Sequence, residues 1–205
     1  PSMNATLPVV MTLAGHDPSG GAGIQADIET IASMGCHAAP VITAMTVQDT
    51  RNVYRIEAIH ADIVMAQARA LCADMEIAAI KIGLLGSVEN SAAIALLLDE
   101  LPATTPVILD PILRAGGGAA LADSALLDGI REGLLPRATI ATPNAAEARR
   151  LASGADTLDA CAQALMAQGG EMILITGADE PDAEVKNRLY SNRRLIDTFT
   201  WTRLP

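Results

Sequence analysis

Several residues in this chain have types and spacings that could do chemistry, and most of them stand just after a short apolar run. The first group is the stretch Gly15-His16-Asp17-Pro18-Ser19-Gly20-Gly21-Ala22-Gly23. Gly15 and Gly20 have the G-x-x-x-x-G spacing of a Walker loop, but Gly21-Ala22 stand where Lys-Ser/Thr is required, so that reading fails. Gly21-x-Gly23-x-x-Ala26 fits the dinucleotide pattern G-x-G-x-x-A. That pattern needs its first glycine directly after a strand, and this loop is several residues too long. Two readings remain open. One is a glycine-rich turn that lets the backbone approach a small substrate; the other is a plain strand–helix loop.

Asp27 lies one turn into the helix that should follow. Its carboxylate either interacts with the helix N-terminal dipole or accepts a hydrogen bond from a substrate hydroxyl or amine. Gln48, in Thr46-Val47-Gln48-Asp49-Thr50, offers both a donor and an acceptor, which suits the edge of a heterocycle; it would serve equally as a turn residue. Asn144-Ala145-Ala146-Glu147 has the N-x-x-E spacing of a capping box, with Asn at the N-cap and Glu at N3. The same Glu147, with Asp110 in Leu109-Asp110-Pro111, could instead organise Mg²⁺ through water, as phosphoryl transfer requires. His16, His37 and His60 have no metal-ligand spacing, and no G-x-S-x-G elbow is present.

Positioning these groups requires a regular frame, and the periodicity supplies one. Strands are predicted at Val9–Ala14, Val41–Thr46, Ala78–Leu84, Val107–Leu109, Thr139–Ala141 and Met172–Ile175. Helices are predicted at Ala22–Met34, Ala61–Met75, Ser87–Leu101, Ala122–Leu135, Ala145–Ala152 and Leu158–Gln168, the first with Ile24, Ile28 and Ile31 on one face. Leu189–Trp201 reads as a hairpin turning at Ser191-Asn192. Strand–helix alternation of this kind gives an α/β fold: a three-layer α/β/α sandwich around a mostly parallel sheet, in a single domain over residues 1–205. Ligands in such folds gather at the carboxyl ends of the strands, where Gly15–Gly23, Gln48, Asp110 and Asn144 all fall.

Composition narrows the partners. Among 205 residues there are only four aromatics, so the core must be aliphatic. The net charge is −10 and the only lysines are Lys81 and Lys186, which argues against a nucleic-acid partner. Cys36, Cys72 and Cys161 are odd in number and far apart, as in a reduced cytoplasmic protein without a disulfide or zinc framework. No apolar run reaches membrane-spanning length, and the apolar stretch near Pro8 lacks the basic flank of a signal peptide.

The strings AGHDPSGGAGIQAD, VITAMTVQDT, KIGLLG, LDPIL and TPNAAEA, in this order, resemble the hydroxymethylpyrimidine/phosphomethylpyrimidine kinases of the ribokinase-like superfamily. The resemblance implies ATP- and Mg²⁺-dependent phosphorylation of 4-amino-5-hydroxymethyl-2-methylpyrimidine and then of its monophosphate, for thiamine synthesis, by a homodimer. It implies that Asp27 and Gln48 contact the pyrimidine and that Gly15, Ala22, Leu84 and Ile112 line its pocket. It implies further that Asn144 and Glu147 serve Mg²⁺ and phosphate and that Asp110 lies beside the phosphates. A related kinase for pyridoxal or a thiazole, and a non-catalytic pyrimidine-binding protein, are the alternatives.

The sequence departs from the family pattern in three places. Gly116, in the run Gly116-Gly117-Gly118, and Thr176 stand where lysines are usual, leaving Arg114 and the Thr176 hydroxyl as the available replacements. The family's G-T/S-G-C-T motif, with its anion hole and proposed cysteine base, should follow soon after Phe199–Pro205 and is absent. Residues up to Pro205 are therefore expected to contain no catalytic residue of that motif, to lack closing C-terminal helices, and to bind the pyrimidine while transferring little phosphate.

Overall fold

A computed structural model describes residues 7–113, 122–178, 180 and 183–203. Arg114, Gly116, Gly117, Gly118 and Pro205 lie outside the described residues. The strands are β1 Val9–His16, β2 His37–Gln48, β3 Val53–Ala58, β4 Ile77–Ile82, β5 Val107–Leu109, β6 Ile140–Ala141, β7 Met172–Ile175, β8 Glu184–Ser191 and β9 Arg194–Thr202. The α-helices are α1 Gly23–Ser33, α2 Ala61–Asp74, α3 Val88–Glu100, α4 Ser124–Asp128, α5 Ala145–Leu151 and α6 Leu158–Ala167.

Among the described residues, nine strands form one sheet in the order β3-β2-β1-β4-β5-β6-β7-β8-β9. The six strands from β2 to β7 run parallel, and β3, β8 and β9 pair antiparallel at the two edges. Side-chain alternation divides the faces. Met11, Leu13, Ile80, Ile82, Leu109, Ile173 and Ile175 enter the main core with Val64 and Met65 of α2, Ile94 and Leu97 of α3, and Leu165 of α6. The opposite face carries α1 over β1 and β2. There Thr12 pairs in register with Lys81, and Lys81 with Ile108.

The mostly parallel α/β frame agrees with the sequence, and the differences have local causes. β2 begins four residues earlier than predicted and passes through Pro40, which has no N–H for a ladder. β3 pairs only with Ala44–Gln48, so the edge beside Pro40 needs no donor. β3 itself was not predicted; its burial shows no clean alternation. The helix predicted over Ala122–Leu135 is α4 followed by a wider π-helical stretch, Gly129–Leu134, and a short 3-10 turn at Leu135–Arg137 that contains Pro136. The last hairpin turns at Asn192 and Arg193 rather than Ser191-Asn192, and both residues have positive φ, as a two-residue turn between twisted strands demands. Of the predicted α1 stripe, Ile24 is buried while Ile28 is 36% exposed. Every residue of β9 is exposed, including Phe199 and Trp201.

One buried amide joins the frame beneath the carboxyl ends. Asn90 of α3 is fully buried, and its Nδ2, with two protons, lies within hydrogen-bonding distance of the carbonyls of Thr43 (3.1 Å), Ile59 (3.1 Å) and Leu85 (2.9 Å), the first of which also accepts from Ile59 N (2.9 Å). It thereby ties β2, the loop before α2 and the loop after β4. Without Asn90 the Ile59 and Leu85 carbonyls lose their donor, at about 1–3 kcal/mol each, while the Thr43 carbonyl keeps the Ile59 N–H. Asn90→Ala should therefore lower stability by about 3 kcal/mol in urea unfolding with an unchanged m-value; a loss below about 1 kcal/mol would show that the tie is dispensable.

Candidate active site

A cavity of about 330 Å³ opens at the carboxyl ends of the parallel strands. Its lining follows the strand order. Thr46 and Gln48 come from β2, with Val53 and Ile56 from β3. Gly15 and His16 end β1 and are followed by Asp17, Ala22 and Gly23; Leu84 follows β4, and Asp110 and Ile112 follow β5. Thr142, Asn144 and Glu147 follow β6, and Thr176 follows β7. Nine residues singled out from the sequence thus share one cavity: Gly15, Ala22, Gln48, Leu84, Asp110, Ile112, Asn144, Glu147 and Thr176. Asp27 is not among its walls.

The first glycine loop is a built turn. Asp17 is buried, and its Oδ1 accepts from Ser19 N (2.8 Å) and Ser19 Oγ (2.7 Å). Gly23 opens α1 at φ +58, and a Cβ there would lie 2.3 Å from the Gly15 carbonyl oxygen. Only glycine allows α1 to begin so close to the end of β1. The N-cap, Ala22, supplies no side-chain cap, so the first-turn N–H groups stay available beside the cavity.

Hydrogen bonding fixes which way Gln48 faces. Thr46 Oγ1 lies 2.7 Å from the His16 carbonyl oxygen and 2.9 Å from the Gln48 amide oxygen. A hydroxyl has one proton, and the His16 carbonyl can only accept. Both contacts are satisfied when Thr46 donates to His16 and the Gln48 amide is turned so that its NH₂ donates to Thr46. Gln48 then presents its carbonyl oxygen, an acceptor, to the cavity. His16 stands beside it with its Nδ1 buried and unpartnered.

At the other end, Asn144 and Glu147 form the predicted capping box. Glu147 N donates to Asn144 Oδ1 (2.8 Å) and Asn144 N donates to Glu147 Oε2 (2.9 Å). Glu147 Oε1 also accepts from Leu113 N (3.2 Å), so this carboxylate joins α5 to the segment after β5. Arg150, one turn on, donates to the carbonyls of Leu113 and Ala122. Thr176 stands across from Asn144 as an isolated parallel bridge.

The sequence reading missed a charged cluster below the cavity. Asp27 Oδ2 accepts from Thr12 Oγ1 (2.6 Å), and Lys81 Nζ lies 3.0 Å from Asp27 Oδ1 and 3.1 Å from Oδ2. Lys81 Nζ is also 3.8 Å from Asp110 Oδ2. Both oxygens of Asp27 are thus engaged inside the protein. Burial raises the Asp110 carboxyl above the usual range, Lys81 lowers it, and the charge on Asp27 raises it further. Lys81 had a signal in the sequence: it is a lone charge in the apolar run Ala78–Leu84, and a charge so placed needs a partner.

Asp110 and Glu147 present hard oxygen donors to one cavity, the type that Mg²⁺ prefers when phosphates and water complete its shell. Among the described residues no three His, Cys, Asp or Glu side chains form a metal cage. The Thr46 arrangement is testable. Thr46→Val should weaken binding of a 4-aminopyrimidine probe by about tenfold in calorimetry, because Gln48 loses the partner that orients it, with the melting temperature shifted little. Unchanged affinity would contradict this orientation.

Comparison with known proteins places this chain in a family. The family model described as phosphomethylpyrimidine kinase matches residues 17–205. The chain is 39% identical over 176 residues to the hydroxymethylpyrimidine/phosphomethylpyrimidine kinase of Mycobacterium bovis, covering 84% of this chain and 64% of that protein's length. It is 35% identical to the enzyme of the same name from Rhizobium meliloti, covering 92% of this chain and 72% of that one. Among solved structures, the phosphomethylpyrimidine kinase of Clostridium difficile matches with a TM-score of 0.81 at 28% identity, covering 96% of this chain and 84% of that one. The ADP complex of Bacillus subtilis pyridoxal kinase matches with a TM-score of 0.83 at 26% identity, covering 97% and 76%. The chain therefore belongs to the phosphomethylpyrimidine kinase family, and its nine-stranded α/β fold is similar to those of ribokinase-like kinases.

Proposed function

We propose that this protein phosphorylates 4-amino-5-hydroxymethyl-2-methylpyrimidine and its monophosphate with Mg·ATP, as one kinase domain of thiamine synthesis. The observation that carries this reading is the division of one cavity. Gln48 offers a fixed acceptor among small and apolar walls at one end, and Asp110, Asn144, Glu147 and Thr176 gather polar groups at the other.

In this reading Gln48 accepts from the 4-amino group and orients the ring. Gly15, Ala22, Leu84 and Ile112 enclose it and exclude water. Asn144 and Thr176 serve the phosphates. Asp110 and Glu147 would hold Mg²⁺, which when bound neutralises phosphate charge and orients the transferring group. Asp27, engaged by Thr12 and Lys81, acts from beneath the cavity rather than on the ring. Pyridoxal kinase activity is the second reading, favoured by the likeness to the Bacillus subtilis structure. A cytoplasmic site and a homodimer belong to the same proposal. Three free cysteines support the first, and the exposed Leu195, Ile196, Phe199 and Trp201 of β9 support the second.

Glu147 separates capping from catalysis. Both its oxygens accept backbone N–H bonds, so Glu147→Gln must turn an NH₂ toward one donor. That should cost about 1–2 kcal/mol of stability and leave the protein folded. In the whole protein, assayed for ATP-dependent phosphate transfer to the pyrimidine, the same change should reduce turnover at least about a hundredfold if Glu147 organises Mg²⁺. No transfer to the pyrimidine by the unaltered whole protein would refute the function. Full turnover in Glu147→Gln would leave Glu147 a cap alone.

A further inference from the structure

We propose that Lys81 is a positioning residue for the metal–nucleotide end of the site: its ammonium, locked by Asp27, holds the Asp110 carboxylate at the cavity wall. The inference rests on the reading of Asp110 as part of that end. Its evidence is the placement of one cation. Asp27 is anchored by Thr12 and meets Lys81 with both oxygens, which fixes the ammonium from the α1 side. The third approach, at 3.8 Å, is to Asp110, the one member of the trio that lines the cavity. Lys81 is the cation paired with Asp110 among the described residues.

The site is shaped for that ammonium. A Cβ on Gly83 would lie 2.8 Å from Lys81 Nζ and 3.1 Å from Ala14 Cβ. Gly83 precedes Leu84 of the cavity wall but does not line the cavity itself. The lysine therefore lies in a space kept open by a missing side chain, with its side chain 20% exposed and that of Asp27 14% exposed. A staple between α1 and the sheet would need only Asp27 and Lys81. The added reach to Asp110 extends the same charge to the cavity, much as outer partners orient metal-binding carboxylates.

Two variants test this. Lys81→Met removes the charge at similar length, and leaves Asp27 buried without its cation, which threatens the fold. Gly83→Ala keeps the lysine and pushes its ammonium aside, a small shift for the end of a flexible chain. In the whole protein, calorimetry should read three affinities: the β,γ-methylene ATP analogue with Mg²⁺, the same analogue without Mg²⁺, and 4-amino-5-hydroxymethyl-2-methylpyrimidine. Gly83→Ala should weaken the Mg²⁺-dependent affinity about tenfold or more, with the other two changed less than about twofold. Lys81→Met, if folded, should do the same more strongly. Wild-type affinity for the Mg²⁺ complex in Gly83→Ala, or parallel loss of all three affinities tracking the melting temperature, would overturn the inference. A wild-type protein that binds the pyrimidine but no Mg·nucleotide would overturn the kinase reading, and this inference with it.

Discussion

The Asp27–Lys81 pair is a charge the fold must accommodate before anything else at this end of the sheet can be arranged. Two ions in a largely enclosed space are tolerated only with close geometry and further hydrogen bonds. Here Thr12 supplies the bond, Gly83 supplies the space, and α1 brings the carboxylate. That requirement sets where α1 lies. Gly23 then lets the helix begin against the Gly15 carbonyl, and the loop between them, held by Asp17, forms one wall of the cavity. The glycines and the buried charges are parts of one arrangement.

Much of this was legible from the sequence. The parallel core was readable because its strands are short apolar runs separated by helical patterns, and because Asp110 and Asn144 both stand where such strands end. What local pattern could not give was pairing at a distance. Asp27 was visible as a carboxylate one turn into α1, but its partners, Thr12 and Lys81, are 15 and 54 residues away in the chain. Gln48 was visible as an amide, but its orientation depends on the His16 carbonyl across a strand pair. β3 escaped because an edge strand exposed on both faces has little hydrophobic period to read. The capping box at Asn144 was local and therefore readable, while the third bond, from Leu113 to Glu147, was not.

The chemistry of the cavity follows from how its polar groups are committed. Asp27, with both oxygens engaged by Thr12 and Lys81, stands outside the cavity walls and shapes the site from beneath. Groups with capacity left, such as the Gln48 carbonyl, the Asp110 carboxylate and the first-turn N–H groups of α1, are the ones that can meet a ligand. They lie at different strand ends of one sheet, which is how a single small cavity could bring a heterocycle and a phosphoryl donor together.

The central claim is that the cavity selects a heterocycle carrying an N–H donor at the position read by Gln48. The direct measurement is calorimetry of the unaltered protein with 4-amino-5-hydroxymethyl-2-methylpyrimidine and with its counterpart bearing a 4-hydroxyl that tautomerises to 4-oxo. A carbonyl set against the Gln48 carbonyl leaves two acceptors facing each other, so the amino compound should bind about tenfold tighter or more. Equal affinity, or preference for the oxo compound, would contradict the account.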